Sequence, residues 1–370
     1  MPRRIILAGG GHAHLAVLAD WARRPLADAE CWLVTSTRHL AYSGMVPGWM
    51  AGFYRADELL IDLVPLAELA GATLVLADVV GLDADRRALS LSNGEVLEFD
   101  LLSLATGGET DTSRLAGLGQ RLMPVRPLDA FMQGWSRFVE APSETAARHV
   151  AVVGGGAAGV ELAFAAQAAL GRRSAPSSVS LVAGESGLLV GHADTVRRRV
   201  RTGLAARGIA LHLAEASGGP DGLILSDGTR LDAGCVIAAT GSRAPAWIAP
   251  SGIACTDGGF VAVGADLRSI SHRSVFAAGD IVERVDRPLP RSGVHAVKAG
   301  PILAANLRAA LQGAPFKDYQ PRSRTLYLLG TGDRRAILSW GGFSTRGKLA
   351  WQLKDWIDRR FVGRYRREVR

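Results

Sequence analysis

The chain has 370 residues, of which 48% are hydrophobic, and it carries a formal net charge of +8. This length suits two domains with complete hydrophobic cores, and the composition excludes a largely disordered chain. No apolar run reaches the ~18 residues that a membrane-spanning helix needs, and the strand-like segment 5–7 leaves no room for a signal peptide, so we expect a cytoplasmic protein.

The positive charge is concentrated near the C-terminal end. Residues 319–370 carry 13 Arg and Lys against 4 Asp and Glu, whereas the first 318 residues carry 30 and 31. A basic surface of this kind favours an anionic partner, namely acidic lipid, an acidic protein or nucleic acid. No nucleic-acid recognition motif accompanies it, so we expect no nucleic-acid partner.

The cysteines do not form a recognisable site. Cys31, Cys235 and Cys255 have neither C-x-x-C spacing nor the His/Cys spacing of a zinc site, so the sequence predicts no metal centre. Cys31 and Cys235 lie in apolar, strand-like runs and are expected in the core. Cys255 lies in a turn-rich stretch and is expected to be a free thiol.

The chain contains an internal repeat. A short strand leads into a glycine turn at residues 9–11 and then into a helix, and residues 149–170 repeat this order around a second glycine turn at 154–156. Each unit closes with a similar segment: residues 91–107 align without gaps to residues 225–241, with seven of 17 positions identical. Similarity at both ends of both units indicates two homologous domains.

Each closing segment contains a turn followed by a strand. Asn93-Gly94 and Asp227-Gly228 predict hairpin turns because these residues tolerate positive φ, and an apolar strand ending in Ala-Thr-Gly follows. Strands that alternate with helices predict an α/β fold with two Rossmann-like, doubly wound parallel sheets.

The repeat also predicts the domain boundaries. Residues 113–148, with a helix around 128–139, are interpreted as the connection between domains, and residues 262–312 are expected to return the chain to the first domain. The predicted units are a first domain of residues 1–113 and 250–318, a second domain of residues 114–249 inserted into it, and a basic C-terminal region of residues 319–370.

A glycine-rich turn between a strand and a helix binds dinucleotides for physical reasons. The first glycine makes the tight turn, the second lets a pyrophosphate approach the N–H groups at the positive helix end, and the third allows close helix–strand packing. The second copy has all three: Gly154, Gly156 and Gly159. The first copy has Gly9 and Gly11 but places His14 third. One such motif is often only a structural turn, but two copies, each closed by Ala-Thr-Gly, predict two nucleotide sites.

Both copies lack the acidic residue that commonly binds the ribose hydroxyls at the end of the second strand. Thr35 stands there in the first copy and can still form a hydrogen bond, whereas Ala183 in the second copy cannot. Without an acid the second site does not repel a 2′-phosphate, yet no Arg stands beside Ala183 to bind one. The choice between NADH and NADPH therefore stays open.

The order of these motifs, followed by Ser-Val-Phe-Ala-Ala-Gly-Asp at residues 274–280, resembles the pyridine nucleotide-disulfide oxidoreductase family over about residues 3–312. That family holds FAD in its outer domain and NAD(P)H in an inserted one, so the resemblance implies both here, with Asp280 at the ribityl chain of FAD. The implied FAD contacts are Gly9, Gly11, Ala13, His14, Thr35, Arg38, Ser43, Gly44, Val79, Ala105, Thr106, Gly107, Gly279, Asp280, Gly293 and Val294. The implied NAD(P)H contacts are Gly154, Gly156, Ala157, Gly159 and Gly241.

Two charged residues are the candidates for catalysis. Residues 292–307 predict a helix with Ser292 as its N-cap, and in the family the N-terminus of this helix stabilises the reduced flavin by roughly 0.3–1 kcal/mol. Lys298 on this helix either adds positive charge or is a solvated helix residue. Glu161 resembles a family Glu at the junction of nicotinamide and flavin, and its alternative is a locally paired helix residue.

Three segments narrow the resemblance to one subgroup. Residues 9–14, 42–48 and 351–361 are similar to flavoproteins found alone or fused to selenide, water dikinase, which are related to type II NADH dehydrogenases. Residues 49–54 lack the C-x-x-C of disulfide reductases, and residues 157–158 lack the cysteine of sulfide:quinone reductases. The resemblance therefore implies that the flavin passes electrons directly to an external acceptor.

Residues 348–367 predict a helix near the C-terminus. The functional interpretation of its apolar stripe is an anchor on the inner face of the cytoplasmic membrane, and the alternatives are a helix packed on the FAD domain or a homodimer interface. The stripe consists of Leu349, Leu353, Trp356, Ile357 and Phe361.

Three functions remain after these steps. The first is an NAD(P)H oxidoreductase that reduces a quinone at a membrane surface. The second is a soluble reductase for a small redox protein or for selenium-linked reduction. The third is a flavin-bearing sensor or interaction protein with little turnover.

Overall fold

The structure, a computed structural model, describes residues 2–141, 148–172, 176–185, 187–322 and 324–367. The helices are α1 (His12–Arg23), α2 (Val46–Met50), α3 (Leu63–Leu69), α4 (Leu128–Glu140), α5 (Ala157–Leu170), α6 (Asp194–Ala205), α7 (Gly293–Gln312) and α8 (Lys348–Arg367). Short 3₁₀ turns lie at Ser43–Met45, Ala56–Leu59, Ser113–Arg121 and Ala249–Ser251.

Each half of the repeat forms its own five-stranded parallel sheet. The strands of the first sheet, in spatial order, are Val275–Ala277, Leu101–Leu104, Arg3–Ala8, Ala29–Thr35 and Ala72–Leu76. Those of the second are Leu122–Pro124, Cys235–Ala238, Arg148–Val153, Ser177–Ala183 and Ala210–Leu213. The central strands are buried on both faces, which explains their continuous apolar runs. The predicted α/β class with two doubly wound sheets is confirmed.

A three-stranded antiparallel sheet accompanies each parallel sheet. Its strands are Val79–Asp83, Ala88–Leu91 and Val96–Glu98 in the first unit, and Ala216–Gly219, Gly222–Leu225 and Arg230–Leu231 in the second. Gly94 and Gly228 both have a φ of 86° in the connecting turns. The predicted hairpins are therefore present in both copies.

The chain returns to the first sheet after the second unit, as predicted. Val275–Ala277 pairs with Leu101–Leu104, and α7 packs along α1. Gly300 permits this close approach, since a Cβ there would lie 2.8 Å from the carbonyl oxygen of Ala13. Three small two-stranded pairs complete the connections: His39–Ala41 with Leu60–Asp62, Glu109–Thr110 with Ser242–Arg243, and Val261–Val263 with Val282–Arg284.

The C-terminal region forms an antiparallel sheet followed by the predicted helix. Its strands are Leu326–Gly330, Ala336–Trp340 and Phe343–Gly347, and α8 packs against all three. No helix in the described part of the chain is long and apolar enough to cross a membrane.

The packed face of α8 shares only part of the apolar stripe that the sequence suggests, because Phe361 packs inward. Leu349 is 81% exposed and Trp356 is 57% exposed, whereas Trp351 and Val362, which lie outside the stripe, are buried. The helix packs on the protein through a face that also carries buried Lys354 and Asp358. These two charged residues interrupt the apolar pattern and hide the packed face from a search for hydrophobic periodicity.

Candidate functional site

Both glycine turns bring the backbone close to the end of the closing strand. Gly9 and Gly154 have φ values of 96° and 137°, and a Cβ at Gly154 would collide with the carbonyl oxygen of Ala239. A Cβ at Gly11 would likewise collide with the carbonyl oxygen of Ala105. Helices α1 and α5 begin directly after the turns with no side-chain cap, so their first N–H groups are available to a pyrophosphate.

His14 occupies the third glycine position with both ring nitrogens hydrogen-bonded within the protein. Its ring is fully buried, Nδ1 donates to the carbonyl oxygen of Gly9 at 2.6 Å, and Nε2 accepts from the Ser103 hydroxyl at 2.8 Å. Burial lowers the pKa of His14 to about 4, so the ring is neutral at physiological pH. In the second copy, Gly159 instead lets α5 close directly onto the matching carbonyl of Gly154. His14 therefore holds the shape of the turn, and its place at the FAD site stays a prediction.

The residues expected at the adenosine of FAD are held by their own partners. The Thr35 hydroxyl donates to the carbonyl oxygen of Thr37 at 3.2 Å at the end of its strand. Arg38 forms an ion pair with Asp62, with Nη2 and Oδ2 2.8 Å apart, and Asp62 also caps α3. Val79 is partly buried at the start of its antiparallel strand.

A carboxylate does reach the ribose position of the second copy, from a residue that the sequence did not indicate. Glu215 Oε1 accepts the backbone N–H of Glu185 at 3.1 Å and lies against Gly184, directly after Ala183. Its Oε2 pairs with Arg114 Nη1 at 2.6 Å. The acid comes from the end of another strand, so a search along the second strand could not find it.

Several predicted FAD contacts converge near the start of α7. A Cβ at Gly293 would lie 3.4 Å from Ser43 Oγ, and one at Gly279 would lie 3.6 Å from Ala296 Cβ. Helix α7 begins at Gly293 after Ser292, as predicted, but the Ser292 hydroxyl does not cap it.

The same region contains buried polar atoms that have no partner within the described residues. Asp280 pairs with Arg126 through one carboxylate oxygen, while its Oδ1 has no hydrogen bond. Buried polar atoms are normally hydrogen-bonded, so such a cluster fits the polar ribityl and pyrophosphate parts of FAD. The unpartnered atoms are His12 Nε2, Thr106 Oγ1, Asp280 Oδ1 and Ser292 Oγ.

Lys354 of α8 connects the C-terminal region to both domains. Its Nζ donates to the carbonyl oxygen of Gly44 at 2.8 Å, lies 3.0 Å from Asp358 Oδ2, and lies 3.7 Å from Glu161 Oε1. Glu161 Oε1 also accepts the backbone N–H of Gly330 at 2.8 Å. The structure thus joins predicted residues Glu161 and Gly44 through a lysine that the sequence analysis missed.

The protonation of this cluster follows from its burial. Burial raises the pKa of the Glu161 carboxyl, although the charge of Lys354 opposes the shift. Burial alone would lower the pKa of Lys354, but the carboxylates of Glu161 and Asp358 raise it above its usual value. Lys354 is therefore cationic, and Glu161 keeps its proton to a higher pH than a solvated glutamate does.

Aromatic rings cover this cluster on one side. Tyr42 stacks on Phe361 of α8 with ring centroids 4.4 Å apart, and His12 lies 5.7 Å from the Tyr42 ring. Burial and the nearby Asp358 carboxylate raise the pKa of Tyr42 well above its ordinary value. Residues 42–48, which contain the expected flavin contacts Ser43 and Gly44, and α8 thus enclose one site.

Lys298 lies apart from this cluster. It is partly buried on α7, and burial together with the charge of Arg322 lowers its pKa. On the same helix, His295 Nδ1 and the Tyr319 hydroxyl form a hydrogen bond of 3.0 Å. The structure does not bring Lys298 to Glu161.

The cysteines lie where the sequence suggested. Cys31 and Cys235 are buried in strands of the two parallel sheets, and Cys255 is exposed as a free thiol. Among the residues that the structure describes, no group of His, Cys, Asp and Glu is arranged to hold a metal ion.

Comparison with known proteins identifies a family and several relatives. The family described as "Pyridine nucleotide-disulphide oxidoreductase" matches residues 3–300. Ferroptosis suppressor protein 1 of Taeniopygia guttata is 25% identical over 357 residues, which cover 92% of this chain and 89% of the relative. The type II NADH:quinone oxidoreductase of Staphylococcus saprophyticus is 20% identical, over 97% of this chain and 95% of that protein.

A solved structure shares the fold over nearly the whole chain. The sulfide:quinone oxidoreductase of Aquifex aeolicus superposes with a TM-score of 0.82 at 16% identity, covering 99% of this chain and 92% of that one. The aligned region includes most of the C-terminal sheet and α8, so these elements belong to the shared architecture.

Proposed function

The chain belongs to the pyridine nucleotide-disulphide oxidoreductase family, and on this premise we propose that it passes electrons from NAD(P)H through FAD directly to a quinone. Family membership makes it an FAD-dependent oxidoreductase that uses NAD(P)H. The relative named for NADH:quinone chemistry aligns over 97% of this chain, which supports a quinone as the acceptor.

The observation that carries the proposal is the buried contact of Lys354 with Gly44 and Glu161. It places a proton-holding carboxyl and a cation beside residues 42–48, where family resemblance puts the flavin ring. Burial raises the pKa of the Cys31 thiol to about 11 and that of the Cys235 thiol to about 12, and Cys255 is exposed, so a thiol relay has no support here. Direct transfer to a small acceptor fits this arrangement.

Proton stoichiometry gives Glu161 a role. A quinone takes up two electrons and two protons to become a quinol, whereas NAD(P)H supplies a hydride, which is two electrons and one proton. Bound FAD supplies the relay of the electron pair between the two substrates. Because Oε1 of Glu161 is engaged by Gly330 and Lys354, Oε2 is the atom that holds the second proton and delivers it toward the acceptor.

Lys354 and the aromatic rings prepare this site. Lys354 orients the Glu161 carboxyl and fixes the Gly44 carbonyl, so both are positioned before substrate arrives. Tyr42 and Phe361 exclude water from one side, which strengthens the electrostatic interactions within the cluster.

The second nucleotide site is proposed to prefer NADH. The Glu215 carboxylate lies at the end of the second strand, where an acid binds the ribose hydroxyls and repels a 2′-phosphate. Glu215 therefore takes the role that Ala183 cannot fill.

The exposed apolar residues of the C-terminal region support peripheral binding to an anionic membrane surface. They lie in the region that carries the net positive charge, and that combination is typical of interfacial attachment, which gives access to a lipid-soluble quinone. These residues are Trp340, Phe343, Leu349, Leu353 and Trp356.

Stopped-flow reduction of the purified flavoprotein tests the proposed function. We expect NADH to bleach the flavin absorbance rapidly under anaerobic conditions, and a short-chain quinone analogue to restore it within the turnover time. Slow bleaching would instead favour a sensor. Rapid bleaching with re-oxidation only by a small redox protein would contradict the quinone assignment.

A further inference from the structure

A cavity of about 330 Å³ lies between α6 and the last strand of the C-terminal sheet, outside the glycine turns and their closing segments. Thr195, Arg198, Arg199 and Thr202 line it from one face of α6, and Arg346 of Phe343–Gly347 lines it from the opposite side. We propose that this cavity, defined by those five residues, binds a phosphoryl group. The inference goes beyond the proposed oxidoreductase function.

Nearby carboxylates balance only part of the charge of the cavity. Three arginines line it and no acidic residue does. Asp333 is the carboxylate closest to Arg346, at 3.7 Å, but it also pairs with Arg207. Arg198 and Arg199 have no carboxylate within ion-pair distance among the described residues, so like charges face one another across the cavity.

Buried polar atoms without partners are the second, independent observation. Thr195 Oγ1, Arg346 Nε and Ser344 Oγ are buried and unpaired within the described part of the chain. Ser344 and Arg346 are two positions apart and therefore lie on the same face of their strand. Arg199 Nη2 donates to the carbonyl oxygen of Ser344 at 3.4 Å. Of these residues, Thr195 and Arg346 line the cavity. Because an unmade buried hydrogen bond is costly, the Thr195 and Arg346 donors favour a ligand that accepts several hydrogen bonds.

The donor geometry favours a phosphoryl group over a carboxylate. Hydroxyl and guanidinium donors approach from two facing elements, and a tetrahedral oxyanion presents oxygens in several directions, whereas a carboxylate presents two in one plane. The first turn of α6 carries no side-chain cap, so its N–H groups add to the attraction, while Asp194 in the same turn pairs with Arg197. Arg346 and α6 belong to different parts of the chain, so a bound phosphoryl group would tie the C-terminal region to the second unit.

Calorimetric titration with inorganic phosphate at constant ionic strength tests the site. We expect saturable binding to one site per chain, weakened at least tenfold in Arg346→Gln and in Arg198→Gln. Arg201→Gln is the matched control, since Arg201 is exposed on the same helix and does not line the cavity. No saturable heat at millimolar phosphate, or an equal loss in Arg201→Gln, would overturn the proposal.

A vesicle experiment separates the two sources of a phosphoryl group. Wild type, Arg346→Gln and Arg201→Gln are floated with phosphatidylcholine vesicles with and without phosphatidic acid. Loss of phosphatidic acid-dependent flotation only in Arg346→Gln would assign a lipid headgroup, whereas equal flotation with lost phosphate binding would assign a soluble phosphate compound. Circular dichroism and flavin content verify folding. If Arg346→Gln does not fold, Arg198→Gln, which changes an exposed residue that lines the cavity, replaces it in both experiments. These binding measurements do not depend on turnover, so their result is independent of whether the acceptor is a quinone.

Discussion

The ammonium of Lys354 donates a 2.8 Å hydrogen bond to the carbonyl oxygen of Gly44, although 310 positions separate the two residues. The same ammonium lies 3.7 Å from Glu161 of α5. One buried cation thus holds three parts of the chain at a single point. Helix α8 is therefore part of the candidate active site as well as a surface element.

Replacing Lys354 with Met tests how much this contact stabilises the protein. Methionine preserves most of the volume but leaves Glu161 and Asp358 without their cation. We expect the free energy of unfolding to fall by about 3–5 kcal/mol, measured by urea denaturation. Lys348→Met, on the exposed face of the same helix, should change it by less than about 0.5 kcal/mol. Similar values for both variants would show that the buried contact contributes little.

The raised pKa of Glu161 predicts a pH dependence of quinone reduction. Only the protonated carboxyl can deliver a proton, so the turnover rate should fall as pH rises through the pKa of Glu161. Because burial raises that pKa, the fall should occur above the pH range of a solvated glutamate. The turnover rate of a short-chain quinone, measured from about pH 5 to about pH 9, shows where this decrease occurs.

The variant Glu161→Gln supplies the matching control. It keeps the Gly330 hydrogen bond but cannot transfer a proton. We therefore expect a quinone turnover rate about 10²–10⁴-fold lower, without the decrease at rising pH that Glu161 causes in the wild type. An unchanged pH profile in the variant would assign the proton to another group.

Asp280→Ala should reduce flavin binding. Asp280 has one oxygen paired with Arg126 and one buried oxygen available to the ligand. Loss of a charge-assisted hydrogen bond weakens binding by about 1.5–3 kcal/mol, or roughly ten- to hundredfold. Fluorescence titration of deflavinated protein with FAD measures the affinity, and exposed Asp318→Ala is the control. Equal affinity in both variants would remove Asp280 from the site.

Features encoded by local pattern could be predicted, and features made by distant contacts could not. The hairpins at Gly94 and Gly228 follow from two residues that tolerate positive φ, and the two sheets follow from the repeated alternation of strands and helices. Lys354 meets Glu161 only after two remote helices pack together. Its one local signal is the i, i+4 pair with Asp358, set between Trp351 and Val362.

Two other features have the same physical origin. The ring of His14 forms hydrogen bonds with the Gly9 carbonyl and with Ser103 of a neighbouring strand, and nothing in the sequence indicated the second bond. The ribose position of the second site was expected to lack an acid, but Glu215 enters it from the end of another strand. In both cases a parallel sheet brings together residues that are remote in sequence.

Glu215→Gln should shift the preference between the two nicotinamide cofactors. The variant removes the charge that repels a 2′-phosphate and frees Arg114 to pair with one. Because Glu215 is partly exposed, water screens the effect, and we expect the ratio of kcat/KM for NADH over NADPH to fall about tenfold. Steady-state kinetics with both cofactors measure the ratio. Glu185→Gln changes an exposed residue whose backbone N–H donates to Glu215, and it should leave the ratio unchanged. A larger effect in Glu185→Gln would transfer the role to Glu185.

Substitutions in the exposed stripe of α8 should weaken attachment to anionic vesicles. Burying Leu349 and Trp356 in the membrane interface removes apolar surface from water, and each large side chain contributes roughly 1.5–3 kcal/mol when fully buried. The double variant Leu349→Gln/Trp356→Gln should therefore lose at least about tenfold in partitioning to phosphatidylglycerol vesicles, measured by flotation. Val80→Gln, which changes an exposed residue of the first unit, should float as wild type does. Wild-type protein that stays unbound and elutes as a dimer, which the double variant converts to a monomer, would make the stripe a homodimer interface.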